Sequence, residues 1–143
     1  MRKYLFILAI ASLLGSVAGC GGGPSPPTFY PVKGQVLLNG KPVQFANVSL
    51  TPKDSADDDN PAATGQTNGN GEFSVRSMIG PGYDGALPGE YWVSISAPRQ
   101  APAEANGEKP TAIPKKFSNP KSAKISISVG QQANDLGSIR LQS

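Results

Sequence analysis

Val32–Pro52 reads VKGQVLLNGKPVQFANVSLTP, and this stretch decides the fold class. Val32, Gly34, Val36 and Leu38 alternate with polar residues, as they do on a half-buried strand. Asn39-Gly40 accepts positive φ and suits a tight turn. A second run then places Ala46, Val48 and Leu50 on one face and Asn47, Ser49 and Thr51 on the other. Pro52 ends it, because proline has no amide donor for a ladder. The stretch predicts a β-hairpin.

The rest of the chain repeats that pattern. Asn68-Gly69-Asn70-Gly71 is a turn cluster, followed by inward Phe73 and Val75. Leu87-Pro88-Gly89 leads into a strand with Tyr91, Val93 and Ile95 on one face and Trp92, Ser94 and Ser96 on the other. Pro98 to Pro120 carries five prolines and no usable period, so it reads as a long loop. Ile113 and Phe117 are its candidate pins to the sheet. Ile125, Ile127 and Val129 alternate again, Gly130–Asp135 turns, and Leu136–Leu141 closes the domain with Ile139 and Leu141 inward. Short strands separated by Gly, Pro and Asn turns predict an all-β fold, an antiparallel β-sandwich of about seven strands.

Before this domain comes a different kind of sequence. Arg2 and Lys3 precede the apolar run Tyr4–Leu14, which is too short for the roughly 20 residues of a membrane-spanning helix and fits a secretory signal. Val17-Ala18-Gly19-Cys20 resembles the lipobox of bacterial lipoproteins. That resemblance implies cleavage before Cys20 and acylation of its sulfur and its amine. Two or more acyl chains are what stable anchoring requires. Residue 21 is Gly and not Asp, so the simple Gram-negative signal for inner-membrane retention is missing. The expected organisation is a signal helix over 1–19, a Gly/Pro linker with lipidated Cys20 over 20–31, and the sandwich over 32–143. The expected location is the exported side of a bacterial cell envelope, with membrane lipid as the first partner.

Composition narrows the chemistry. Cys20 is the only cysteine and there is no histidine, so neither an internal disulfide nor a Cys/His zinc site can form. Arg2 and Lys3 account for two of the 13 basic residues; the remaining 11 face 10 acidic ones. A nearly neutral mature chain is not a nucleic-acid binder. The acidic stretch 54–60, with Asp57, Asp58 and Asp59, raises a calcium site but lacks the spacing of the calcium-binding loop and reads as a solvated loop. Asp57–Asp59 are neighbours on one loop and not opposed across a cleft, and no motif marks a Ser/Lys dyad. No catalytic residue, metal or cofactor is expected.

A family resemblance rests first on three motifs: G-Q-V…N-G-K-P-V…A-x-V-x-L-x-P at 34–52, T-N-G-N-G-E-F at 67–73 and L-P-G-E-Y-x-V-x-I at 87–95. Together they resemble the carboxypeptidase regulatory-like, or transthyretin-like, β-sandwich, and I-P-K-K-F-S-N-P-K…I-S-I-S-V at 113–129 is similar to small bacterial envelope lipoproteins carrying that domain. The resemblance implies the fold and an accessory role. It carries no activity: the metallocarboxypeptidase zinc domain is missing, as are the histidines and the Y-R-G-S ending of transthyretin-like hydrolases. The expected function is a non-catalytic interaction or structural module with an envelope protein or glycan as partner. The alternative is carbohydrate binding on a face formed by Trp92, Ser94 and Asn47, flanked by Ser49 and Ser96, where an aromatic ring beside polar groups could stack a sugar. Against it stands the reading that Trp92 packs under the proline-rich loop, near Phe117 or Phe45.

Overall fold

A computed structural model of the chain describes residues 25–54, 60–98 and 110–143. The signal segment, Cys20 and Asp57–Asp59 lie outside them. The strands are β1 (Val32–Leu38), β2 (Lys41–Pro42), β3 (Asn47–Pro52), β4 (Ala63–Gln66), β5 (Glu72–Ser74), β6 (Arg76–Ser77), β7 (Gly89–Ser96), β8 (Ile125–Val129) and β9 (Asn134–Leu141). They form two sheets. One runs β6-β4-β3-β7-β8 and is antiparallel throughout. The other has β1 at its centre, with β2 and β5 on one side and β9 on the other. The all-β sandwich expected from the alternation is the architecture observed.

The apolar sets meet between the sheets. Val32, Val36, Ala46, Val48, Leu50, Phe73, Val75, Tyr91, Val93, Ile95, Val129, Ile139 and Leu141 are all buried, and Leu38, Ile125 and Ile127 pack against them partly buried. A fully buried Val, Leu or Ile is worth roughly 1.5–3 kcal/mol. β3 and β7, whose inward side chains are completely shielded, are therefore the frame of the wide sheet.

The opening stretch folds differently from a simple hairpin. The Asn39-Gly40 turn forms, with φ of 51° and 80°, but the hairpin it closes extends over only the two residues of β2. Val43 still donates to Val36 O at 2.9 Å. Phe45 then adopts φ 55°, and the chain crosses to the opposite sheet, where β3 pairs with β4 and β7. Two apolar faces from one stretch can share an interior by facing each other across a sandwich as well as by lying side by side. Buried Thr67 fixes the crossing: its hydroxyl accepts from Ala46 N at 2.8 Å, and its carbonyl accepts from Phe45 N at 3.1 Å.

The closing strands separate in the same way. β8 pairs with β7, while β9 crosses through Gly130–Ala133 and pairs with β1 in parallel. The narrow sheet is therefore mixed. Its parallel ladder has an irregularity between Lys33 and Gln35, opposite Gly137 at φ 60°.

The described half of the proline-rich segment closes one end of the sandwich. Gln44 N donates to Thr111 Oγ1 at 3.1 Å. A 3₁₀ turn, Lys115–Phe117, drives Phe117 into the core, and Ile113 packs beside it. This is the pinning expected of both residues. A single helical turn α1 (Pro120–Ala123) follows, which periodicity did not reveal because one turn is shorter than any periodic signal. Asn119 caps it by accepting from Lys121 N at 2.9 Å.

Candidate functional site

Register places the outer face of the wide sheet residue by residue. Across β3 and β7 the pairs are Asn47 with Ser96, Ser49 with Ser94 and Thr51 with Trp92. β8 adds Ser126 beside Trp92 and Ser128 beside Glu90, and β4 adds Thr64 and Gln66 beside Ser49 and Asn47. The result is a field of hydroxyl and amide groups with one aromatic ring in it. Trp92 faces outward, as the alternation predicted, and is half-buried.

The three expected face residues do lie on this surface but not around one point. Ser94 is the next outward residue after Trp92. Asn47 stands two rows farther along, roughly 13 Å by strand rise. Thr51, Ser126 and Lys53 are the actual neighbours of the ring. The cross-strand pairing of β7 with β8 supplies Ser126, and only the topology reveals it.

Lys53 was missed because it follows Pro52, where the strand pattern ends. Its Nζ lies 4.7 Å from the centroid of the Trp92 ring and 3.2 Å from Glu90 Oε2. Its backbone N also donates to Glu90 O at 2.9 Å. The Ser128 hydroxyl, and then Lys53, hold the Glu90 carboxyl below its ordinary pKa against a small opposing effect of burial. The ammonium is thus shared between a carboxylate and an aromatic face, a contact worth about 0.5–1 kcal/mol at an exposed site.

A second recess lies where the sheet edges approach each other. A cavity of about 740 Å³ is lined by Val32 and Lys33, Thr64–Gln66, Ser74–Arg76 and Asp135, among others. The sheets nearly touch here: a Cβ on Gly65 would stand 2.2 Å from Ser74 O, so only glycine fits. Lys33 pairs with Asp135 at 3.3 Å and Arg76 with Asp84 at 3.1 Å, both pairs well exposed. Asp135 is held below its usual pKa chiefly by the Gly137 amide, then by Lys33. Exposed pairs of this kind are screened by solvent and contribute little, and they leave the recess nearly neutral.

Among the described residues, Tyr91 is the one buried titratable group with a shifted pKa. Its Oη lies 2.7 Å from Asn60 Oδ1 and 2.8 Å from Leu87 O. Burial raises its pKa, and these two acceptors are its partners. They tie the start of β7 to the segment before it, through Leu87, and to the segment before β4, through Asn60, which is a structural task.

Among the described residues, no three His, Cys, Asp or Glu side chains are grouped to hold a metal, and no helix is long and apolar enough to cross a membrane. No family model matches the chain, and no curated protein matches it. Among solved structures it is similar to a 9R-lipoxygenase from Cyanothece PCC8801, at 19% identity and a TM-score of 0.43. That match covers 80% of this chain and only 16% of the lipoxygenase.

Proposed function

We propose that the chain is a lipid-anchored, non-catalytic interaction or structural module of the bacterial cell envelope. The observation that carries this reading is Cys20: the only cysteine, directly after a short apolar run and the small residues Ala18 and Gly19, and directly before a Gly/Pro linker. The resemblance of its three turn-and-core motifs to the carboxypeptidase regulatory-like sandwich supports an accessory role. Two tests apply. Cell fractionation with intact-mass analysis should find the protein in membranes, shortened to Cys20 and carrying acyl chains, and Cys20→Ala should release it. An unmodified protein in the soluble fraction would defeat the reading. Cross-linking in intact envelopes should then capture one dominant protein partner.

The second reading, sugar binding on the Trp92 face, is favoured by the surrounding hydroxyls of Thr51, Ser94 and Ser126. Lys53 weighs against it, since its ammonium already sits over the ring and a stacked sugar would have to displace it. Titrating envelope glycans against Trp92 fluorescence separates the readings. A saturable change that is lost in Thr51→Ala or Ser94→Ala would favour sugar binding.

A further inference from the structure

Three large apolar side chains are conspicuously exposed: Met78 at 67%, Ile79 at 55% and Tyr83 at 41%. They belong to one loop. Ser77 N donates to Tyr83 O at 2.9 Å and Met78 N to Ala62 O at 2.9 Å, so Ser77–Tyr83 forms a closed projection. Tyr83 packs against Phe29, ring centroids 5.0 Å apart. Phe29 lies just before the point where the chain joins the fold, since Tyr30 bridges Ala86 and β1 begins at Val32.

Four of the segments at this end carry no charge. Residues 25–31, 77–83, 85–89 and 130–134 contain no Asp, Glu, Lys or Arg, and topology brings these segments to the same end of the sandwich. Asn134 N donates to Pro31 O, and Gly89 pairs with Val129. The neighbouring charges are Arg76 and Asp84 at the base of the projection, paired with each other, Lys53 paired with Glu90, exposed Asp54, and, in the sequence of the same β3–β4 connection, Asp57, Asp58 and Asp59, which lie outside the described residues. Exposed apolar groups clustered without charge mark a surface that is covered in use. Aromatic rings mixed with aliphatic side chains suit the membrane interface, where an apolar body and a polar tip are both satisfied.

We propose that the occupant of this surface is the bilayer itself, with Met78, Ile79, Tyr83 and Phe29 resting in its interfacial layer beside the lipid anchor. The proposal rests on the reading of Cys20 as acylated. Phe29 lies nine positions after Cys20, a span of at most about 30 Å when fully extended. The linker therefore brings this end of the domain within reach of the membrane, and the exposed side chains convert a swinging tether into an oriented contact. A protein partner would need its own complementary surface; a bilayer needs only apolar side chains at the point of contact.

The test uses Trp reporters in a Trp92→Phe background, with the chain tethered to phosphatidylcholine vesicles containing brominated lipid. A zwitterionic lipid removes any repulsion from Asp54 and the acidic sequence after it. The tether is the native acylated Cys20. If fractionation finds Cys20 unmodified, a maleimide lipid coupled to this single cysteine replaces it, so failure of acylation and failure of the contact are read separately. Ile79→Trp should show blue-shifted emission and several-fold stronger quenching than Ser122→Trp on α1 at the opposite end. Equal quenching at both positions, or stronger quenching at 122, would overturn the proposal. Hydrogen exchange on the unsubstituted chain gives an independent reading. Amides of Ser77–Tyr83 should slow several-fold on tethering. Slowing confined to residues 110–124 would overturn the proposal and assign the contact to the opposite end.

Discussion

The two ends of the sandwich use aromatic and aliphatic residues in opposite ways. At the end where β1 and β7 begin, Met78, Ile79 and Tyr83 stand exposed. At the end where β7 finishes, Phe117 is only 7% exposed, pressed into the core by the 3₁₀ turn. Charge is divided as well. The three ion pairs of the described residues, Lys33–Asp135, Lys53–Glu90 and Arg76–Asp84, all lie in the half nearer the first end. Segment 110–124 at the other end carries Lys115, Lys116, Lys121 and Lys124 and no acidic residue. An apolar residue that plugs a core contributes to stability, whereas one left in solvent does not, so the exposed set at the first end calls for a partner outside the fold.

The sharpest way to break this comparison is to truncate one aromatic or aliphatic group at each end. Phe117→Ala should destabilise the domain by about 3 kcal/mol, since it removes a large core side chain and leaves a cavity. Ile79→Ser, an equally drastic loss of apolar surface in sequence terms, should stay within about 0.5 kcal/mol. Chemical denaturation of both variants decides the matter. Equal losses would mean that the projection is a structural element and not a free surface.

Gly85→Ala tests the junction with the linker. At Gly85, φ is 109° and a Cβ would stand 2.0 Å from Tyr30 O. The substitution should cost about 2 kcal/mol through backbone strain and loss of the Tyr30–Ala86 bridge. Proteolysis should then cut near Phe29 sooner than in the parent. An unchanged cleavage rate would show that the Phe29–Tyr83 contact is independent of that bridge. Lys53→Ala should cost less, about 1 kcal/mol, and should shift Trp92 emission to the red as the ring loses its cover. Unshifted emission would mean that Lys53 does not shield Trp92 in solution.

Much of the fold was legible because strand alternation is local. Most inward sets read from periodicity (Val32/Val36, Val48/Leu50, Phe73/Val75, Tyr91/Val93/Ile95, Ile139/Leu141) are in the core, while Leu38, Ile125 and Ile127 lie partly buried against it. The partners of those strands were not legible. A period of two says which face is apolar, but the identical pattern serves a hairpin and a crossing between sheets. The crossing after β2 turns on the backbone of Phe45, and the parallel pairing of β9 with β1 joins residues about a hundred positions apart. The Trp92 surface was half legible for the same reason. Ser94 follows from spacing within one strand, while Thr51, Ser126 and Lys53 come from other segments. The exposed projection was invisible, because Met78 and Ile79 in a Gly/Pro-rich loop look like any other pair of apolar residues until their burial is known.

The smallest expected effect concerns the charge division between the ends. Glu90 and Asp135 both have pKa values lowered in the folded state. A carboxyl whose folded pKa is depressed contributes stability that is fully present above its unfolded pKa and is lost as pH falls through the lowered folded value. The loss should therefore begin near pH 4.5 for Glu90 and somewhat lower for Asp135, whose ordinary value is 3.8. Both groups are exposed, so each contribution is small and is screened by salt. Glu90→Gln should flatten the upper part of the acid limb of a stability–pH curve at low ionic strength and leave stability at pH 7 slightly reduced. Added salt should shrink the difference between parent and variant. Acidification also protonates Glu90 and Asp135 and unmasks Lys53 and Lys33, which would reduce the charge contrast between the ends. On anionic vesicles, binding at a pH below both lowered values should then lose its dependence on Met78 and Ile79. A Met78→Ser, Ile79→Ser variant that still binds less well than the parent at that pH would show that the apolar projection dominates whatever the charge state of the end that carries it.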